Sequence, residues 1–320
     1  MGIHHKAINC KLILFWVYFI SAFIFTSQAA KAYSSIFVVE GVEVDVTAES
    51  SVTAQNQAFK EAQVKAFNIL AKRMVDDAQA ASLPAPDALT ISSLMKDYEV
   101  TNEQLSAVRY VGTYTFRFRE KAVSDYFSVS GVSFTDTGSK TLLVLPVFQR
   151  HGKNTIWSEN NIWLQSWSNT RLSSGLVPVE VPIGDLADIA DIDDNNALSY
   201  NRRNLDRMLE RYNASEAAVM IAVPDMVLLG VENGGDTAKG RLRISVYRTD
   251  RAAAEHVQDI ELEANGDESR DELYERAVRQ ANAVLQKDWK NKTLASFADT
   301  QDYKVYTTFR TVKQWSTIRQ

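Results

Sequence analysis

Two histidines, His151 and His256, are the residues after the N-terminal leader best suited to acid–base chemistry, because imidazole titrates close to neutral pH. They lie in different predicted elements, and neither has a second histidine at metal-ligand spacing. No Gly-x-Ser-x-Gly turn and no glycine-rich phosphate loop accompanies them. One hypothesis is therefore a hydrolase, and it requires a pocket that unites a histidine with a distant carboxylate and hydroxyl.

The densest acidic cluster, at 185–196, offers the oxygen ligands that calcium prefers. Its weak metal candidates are Asp188, Asp191 and Asp193. The spacing differs from an EF-hand loop, because the glycine at the sixth position and the closing glutamate are missing. Aspartate also caps helices and stabilises turns, so the sequence favours a solvated loop with capping carboxylates and predicts no metal or other cofactor.

Three tryptophans make residues 157–167 the most unusual local composition in the chain. Trp157, Asn161, Trp163 and Trp167 form a predicted binding surface for a protein partner or a glycan such as peptidoglycan, because tryptophan is enriched at binding hot spots. The alternative, which the sequence favours, is that the rings build the core beside the preceding strand. Exposure of at least two of these tryptophans on one surface would support binding, whereas burial would remove it.

The elements that position these residues fall into two predicted modules, at 33–138 and 139–300. In the first, alternating valines predict a strand over 36–46. A long helix follows over 53–75, because small residues recur every four positions and let a helix approach a sheet closely. These residues are Ala54, Ala58, Ala62 and Ala66. The later elements of this module are expected to be helix, helix, strand and helix, at 91–96, 101–105, 108–118 and 122–127.

The second module opens with a near-continuous apolar run at 141–148, which predicts a strand buried on both faces. Pro146 is expected to mark its end or an edge. Ser269 and Glu272 have capping-box spacing, which predicts the start of a long helix with an apolar stripe. The other expected elements are one helix at 201–212 and strands at 176–181, 217–223, 226–231, 241–247 and 256–262. A turn at 233–236 and a strand at 303–309, within a possible further C-terminal piece at 301–320, complete the prediction. The fold class is thus α+β, with two mixed modules that each place a long helix on a small sheet.

The first 32 residues predict a secretory signal peptide. Lys6 and Lys11 precede a short apolar run, and Ala30-Lys31-Ala32 offers an Ala-x-Ala cleavage site. Its removal takes away Cys10, the only cysteine, and three lysines, so that 32 basic residues remain against 40 acidic ones, a net charge of −8. This charge argues against a nucleic-acid partner. We expect a periplasmic protein with no transmembrane span after cleavage, whereas an uncleaved leader would tether it to the membrane.

Four motifs resemble a bacterial exported family known as domain of unknown function 2066. They are TLLVLPVF at 141–148, IWSENNIWLQSW at 156–167, GDLAD at 184–188 and RYNASEAAV at 211–219. The resemblance covers most of the mature chain and implies an envelope location without a reaction. More weakly, residues 141–289 are similar in element order to the N-terminal domain of the periplasmic protein TolB. The first module is similar to the N-terminal domain of the flagellar assembly protein T. These likenesses imply a role in binding proteins or building envelope complexes, although fold alone does not fix function.

The function predicted from the sequence is that of a non-enzymatic periplasmic protein that binds or assembles envelope proteins. Its partner is expected to be an envelope protein, and its oligomeric state is left open. Its working surfaces are expected at sheet edges and in grooves between the modules. The alternatives are the hydrolase and the glycan binder.

Overall fold

The computed structural model describes residues 35–84, 86–199, 201–229, 237–249 and 254–298. The predicted leader, the turn at 233–236, the strand at 303–309 and the C-terminal piece at 301–320 lie outside these residues. Within them the fold is α+β, with helices packed on two sheets. No helix in the described ranges combines the length and the apolar composition needed to cross a membrane.

The first sheet has three antiparallel strands, β1 (Val38–Thr47), β2 (Met95–Leu105) and β3 (Arg109–Phe118), with β3 in the centre. Helix α1 (Ser51–Met74) covers one face, and the Ser50 hydroxyl caps it by accepting from the Thr53 N–H at 3.2 Å. The four alanines of the predicted stripe are completely buried, which confirms the expected close helix–sheet contact.

Three short helices complete this part of the chain, α2 (Asp77–Ser82), α3 (Ala88–Leu94) and α4 (Glu120–Val129). The helix predicted at 101–105 is wrong, because these residues form the end of β2. Thr101 pairs with Thr113 and Leu105 with Tyr110 across the ladder. A five-residue stretch gains too few helical hydrogen bonds to compete with this pairing.

The second sheet contains β4 (Leu142–Arg150), β5 (Lys153–Thr155), β6 (Val179–Glu180), β7 (Glu216–Leu229), β8 (Thr237–Thr249) and β9 (Ala254–Glu263). Its order is β5-β4-β7-β8-β9, and β6 also pairs with β4. Strand β4 runs parallel to β6 and β7, whereas the other pairs are antiparallel. The two strands predicted at 217–223 and 226–231 are one continuous strand, β7, as far as Leu229.

Pro146 lies inside β4 and does not end it. Its carbonyl accepts a hydrogen bond from the Asn161 side chain at 3.1 Å, so the backbone polar groups of Pro146 point away from β7. The missing N–H of proline therefore removes no hydrogen bond to β7. The expectation of an edge is met at this residue. Strands β6 and β5 pair with β4 before and after Pro146, and the Asn161 side chain occupies the space between them.

Four helices accompany the second sheet, α5 (Ile162–Asn169), α6 (Leu186–Asp191), α7 (Arg202–Arg211) and α8 (Arg270–Ala298). The predicted capping box of α8 is confirmed: the Ser269 N–H donates to Glu272 Oε2 at 2.8 Å, and the Glu272 N–H donates to Ser269 Oγ at 3.3 Å. The predicted apolar stripe of α8 is buried, including Leu273, Ala277, Ala281 and Leu285.

A buried lysine joins the two parts of the chain. Lys290 on α8 donates from Nζ to the carbonyls of Lys72 and Val75, at 2.9 and 3.0 Å, and pairs with Asp77. These carbonyls belong to the C-terminal end of α1, where a cation interacts favourably with the helix dipole. The long helix on the second sheet therefore fixes the end of the long helix on the first sheet.

Candidate binding groove

The two faces of the second sheet are covered to different extents. On one face, α5 and α8 pack over the strands, with Trp163 against Tyr274. The opposite face carries Leu143, Leu145 and Val147 of β4, and the apolar side chains of α7 pack on them. Val219 and Ile221 of β7 also pack against this cluster but stay partly exposed. The strands beyond it lie next to an open groove.

The floor of this groove is a row of side chains across three strands. Leu145 is aligned with Val219, and Val219 with Tyr247, while Ile221 occupies the next position along β7. Ile192 forms part of the wall, and the groove has a volume of about 300 Å³. Val219, Ile221 and Tyr247 are each partly exposed, so apolar surface that a helix would cover in a complete layer is accessible here.

The lip of the groove is polar but carries little charge. Ser199 and three asparagines surround the opening, namely Asn196, Asn201 and Asn204. Thr249 and Ala254 close the end beside the last two strands. Among the described lining residues, Asp191 is the one carboxylate. An apolar floor with amide and hydroxyl groups at the edge suits a ligand that buries apolar surface and hydrogen-bonds at its margins.

Helix α6 forms the wall beside Ile192, and its orientation is the reverse of an ordinary amphipathic helix. Asp188 and Asp191 point inward and are almost fully buried, whereas Leu186 is 86% exposed and Ile189 is 42% exposed. The Asp185 side chain caps the helix by accepting from the Ala187 and Asp188 N–H groups, each at 2.9 Å. The two buried carboxylates therefore need partners on the neighbouring helix.

Helix α7 supplies those partners. Arg211 donates to Asp188 at 2.7 Å and to Asp191 at 2.8 Å, and Arg207 donates to Asp191 at 2.7 Å. Tyr212 donates to Asp188 at 2.7 Å. We call these five side chains the acid–arginine latch. It fixes α6, and hence one wall of the groove, to α7.

The electrostatics of the latch follow from this geometry. Burial acts to raise the pKa of Asp191, but the hydrogen bonds from Arg211 and Arg207 outweigh it and hold the pKa below its usual range. Hydrogen bonds to Asp188 and Asp191 raise the pKa of Arg211. Burial, together with the hydrogen bond to Asp188, raises the pKa of Tyr212 to about 12. The charged forms of Asp191 and Arg211 are therefore the stable ones.

The structure does not place the three metal candidates in one site. Asp188 and Asp191 are occupied by arginines, and Asp193 Oδ1 accepts from the N–H groups of Asn195 and Asn196. Among the described residues, no three acidic, histidine or cysteine side chains are grouped so as to hold a metal ion. Asp185 caps α6, as the sequence suggests, but the expected solvated loop is wrong for Asp188 and Asp191, because both are buried and paired with arginines.

The tryptophan segment is not a surface site. Trp163 and Trp167 are buried, with 0% and 2% exposure, and lie edge to face at 5.7 Å. Trp163 donates from Nε1 to the Met220 carbonyl at 3.0 Å, which ties α5 to β7. Their burial contradicts the predicted binding surface, because these rings complete the core beside β4.

The other two residues of that prediction also have structural roles. Asn161 is fully buried, and its amide donates to the carbonyls of Pro146, Thr155 and Ile156. Trp157 is partly buried and donates to the Ile192 carbonyl. Its ring lies 3.0 Å from the position that a Cβ on Gly184 would occupy, and Gly184 has a φ of +74°. Trp157 therefore contacts the chain on both sides of α6, at Gly184 before the helix and at Ile192 after it.

The histidines do not form an acid–base site. His151 is exposed at the β4–β5 turn. His256 is exposed on β9, where its Nε2 lies 3.2 Å from Asp259, and Asp259 also bonds with Ser245. The carboxylate here lies between the serine and the histidine, so the imidazole is not placed to take the serine proton. The trio is on the exposed sheet face, where the His256 ring packs against Tyr247 at 5.2 Å, and none of its three members lines the groove.

Sequence reasoning missed the groove itself. Val219 and Ile221 belong to an apolar run that predicts a strand buried on both faces. This pattern does not reveal how much of the strand α7 covers. A usable signal is the LADIAD segment of α6, because its two aspartates lie three residues apart on one helix face. Arg207 and Arg211 lie four apart on the predicted neighbouring helix, so the two pairs match. The groove also lies on the second sheet, whereas the sequence predicts such grooves between two modules.

Comparison of the chain with models of protein families found no match, and comparison with curated proteins found none either.

Proposed function

We propose that this chain is a non-catalytic binding module of the bacterial envelope that recognises a protein through the groove of its second sheet. The observation that carries the proposal is the partly exposed row of Val219, Ile221 and Tyr247 beside the wall that α6 forms. Apolar surface in a concave site with polar margins is characteristic of binding sites.

The chemistry of the groove favours binding over catalysis. Asp191 faces two arginines, which keep it charged and engaged, so it is poorly suited to exchange protons with a substrate. The lip supplies amides and hydroxyls, which can pair with the backbone groups of a polypeptide. A peptide segment could place an apolar side chain on the floor and hydrogen-bond through its backbone at the lip, so we propose a peptide as the ligand class.

The envelope location in this proposal is supported by the N-terminal sequence. The basic start, the short apolar run and the Ala-x-Ala site have the order found in exported proteins. The resemblance to the exported family known as domain of unknown function 2066 supports the same location. Fractionation of cells should therefore recover the mature chain with the periplasmic contents.

The proposal is tested by capture of partners from solubilised envelopes with the tagged, exported chain. Ala254→Trp places a large ring at the exposed end of the groove, and we expect it to reduce recovery of the specific partner at least about tenfold. Thr115→Trp introduces the same ring on the first sheet, away from the groove, and serves as the control. Equal recovery of all partners by the two variants and the unaltered chain would contradict the proposal.

A further inference from the structure

The connection between β9 and α8 contains an exposed Asn-Gly pair, Asn265 and Gly266. The Asn265 N–H donates to Glu268 Oε2 at 3.0 Å, and the Asn265 carbonyl accepts from the Glu268 N–H at 2.8 Å. These two bonds fix the backbone of Asn265. Its side-chain carboxamide has no hydrogen-bond partner among the residues that the structure describes, so it is free to turn toward the backbone of the next residue.

The backbone nitrogen of Gly266 is accessible to this carboxamide. Its N–H meets no acceptor within the described part of the chain. The space around the residue is open, because a Cβ built on Gly266 would have no neighbour within 4 Å. Glycine itself has no Cβ, which permits close approach to its backbone. Asn265 is therefore followed by a peptide nitrogen that is both unhindered and unpaired.

Three other exposed asparagines, Asn169, Asn195 and Asn213, provide the contrast. After each of them the next residue has a Cβ, and its N–H donates to a backbone carbonyl: Thr170 to Ser166, Asn196 to Asp193, and Ala214 to Leu209. A nitrogen held in such a bond is less available for another reaction, because the bond must first be broken. Exposure alone does not distinguish Asn265, whereas the free N–H and the missing Cβ after it do.

From this contrast we infer that Asn265 is a site of spontaneous deamidation. The Gly266 nitrogen loses its proton to solvent and attacks Cγ of Asn265. A bond forms between this nitrogen and Cγ, the bond between Cγ and Nδ2 breaks, and Nδ2 takes up a proton and leaves as ammonia. Water then opens the cyclic imide at either carbonyl and gives aspartate or isoaspartate at position 265. The groove takes no part in these steps, so the inference is independent of the proposed function.

The isoaspartate product alters a junction that holds α8 to the second sheet. The Glu268 carboxylate accepts from Arg276 at 2.8 and 2.7 Å, and the Glu268 carbonyl accepts from the Ala238 N–H of β8 at 2.9 Å. Isoaspartate adds a methylene to the main chain and turns the former backbone carbonyl of Asn265 into a free carboxylate. The bond from the Glu268 N–H then loses its geometry, and a new negative charge lies near the Glu268 carboxylate. We expect the start of α8 to be held less firmly as a result.

The first test follows the modification in the full chain, purified after export and incubated at neutral and mildly alkaline pH. Trypsin places Asn265 in the peptide 252–270, where it is the only asparagine. Mass spectrometry measures the conversion of amide to acid, and fragmentation assigns each site. We expect conversion at Asn265 to be at least about tenfold faster than at Asn169, Asn195 and Asn213 in the same sample. Gly266→Ala should slow it at least about tenfold, because a Cβ hinders the attack.

Several results would overturn the inference. One is the absence of conversion at Asn265, and another is a rate equal to that of the three control asparagines. Conversion in the urea-denatured chain but not in the folded chain would show that the folded connection blocks the attack, and would also overturn it. The internal controls keep the test decisive even if Gly266→Ala is unstable, which thermal unfolding of the variant reveals.

The second test measures the effect on α8. Chromatography separates the isoaspartate form, and Asn265→Asp provides a matched protein with the added charge but an unaltered main chain. Amide hydrogen exchange reports local opening. We expect faster exchange over 269–276 in the isoaspartate form than in Asn265→Asp, and equal exchange over α1 in the two proteins. Equal exchange over 269–276 would contradict the loosening of α8.

Discussion

The two sheets of this protein each have a face that helices leave partly uncovered, and these faces differ in chemistry. On the first sheet, ion pairs cross the uncovered face: Arg109 with Asp45, and Arg117 with Asp97 and Glu99. On the second sheet, the stretch beside α7 is apolar. Charged ladders tolerate water, whereas an apolar stretch gains free energy when it is covered. This difference is the reason for proposing the second sheet, rather than the first, as the binding surface.

The same comparison applies to the arginines. Arg117 and Arg211 each bridge two carboxylates, and their side chains are 33% and 32% exposed. Their partners differ, because the side chain of Asp97 is 43% exposed while that of Asp188 is completely buried. The two arginines are therefore equally exposed, but Arg117 pairs with exposed carboxylates and Arg211 with buried ones.

The largest expected effect is therefore on the latch. Arg211→Ala removes the arginine partner of the fully buried Asp188 carboxyl group, and we expect the free energy of unfolding to fall by about 3–5 kcal/mol. Arg117→Ala removes the exposed pairs with Asp97 and Glu99 and should change the free energy of unfolding by only about 0–1 kcal/mol. Denaturant unfolding of both variants measures the difference, and similar losses would show that the latch is no more than a surface ion pair.

A smaller effect is expected from acid. The pKa of Asp191 is lowered in the folded state, so its contribution to stability is fully present above the unfolded pKa of about 3.9 and is lost as pH falls through the folded value. Asp191→Asn should therefore be less stable than the unaltered chain at neutral pH, and the gap should narrow below about pH 4. Unfolding measured between pH 7 and pH 2 checks this.

Asp45 provides the control for the acid experiment. Its hydrogen bond from Arg109 lowers its pKa as well, but the pair is exposed. Salt screens exposed ion pairs more strongly than buried ones. High salt should therefore abolish the pH-dependent difference in stability between Asp45→Asn and the unaltered chain. The corresponding difference for Asp191→Asn should persist in high salt. Equal salt sensitivity at the two positions would remove the distinction between the faces.

Much of the fold is predictable from the sequence, because local periodicity controls it. The alanine stripe of α1 and the capping box of α8 are local patterns with direct physical meanings. The strand ending at Leu105 is not predictable in this way, since its pairing with β3 determines its conformation. Lys290 also escapes prediction, because its bonds to carbonyls of Lys72 and Val75 depend on how distant helices meet.

The groove depends on even less local information. A strand run such as that of Val219 and Ile221 states that the residues prefer burial, but it does not state what covers them. Trp163 and Trp167 show the converse, since conspicuous aromatic residues were placed in the core by packing. The orientation of α6 is also hard to predict, because its buried aspartates and exposed aliphatic residues reverse the usual amphipathic pattern.

The most direct test of the difference between the two faces is site-specific photo-crosslinking in intact cells. A photoreactive amino acid replaces Leu198 at the lip of the groove or Thr115 on the charged face of the first sheet. We expect discrete protein adducts from position 198, either with a second copy of the chain or with another envelope protein, and none from position 115. The absence of adducts at position 198, or the same adducts at both positions, would contradict the assignment of the groove as the binding surface.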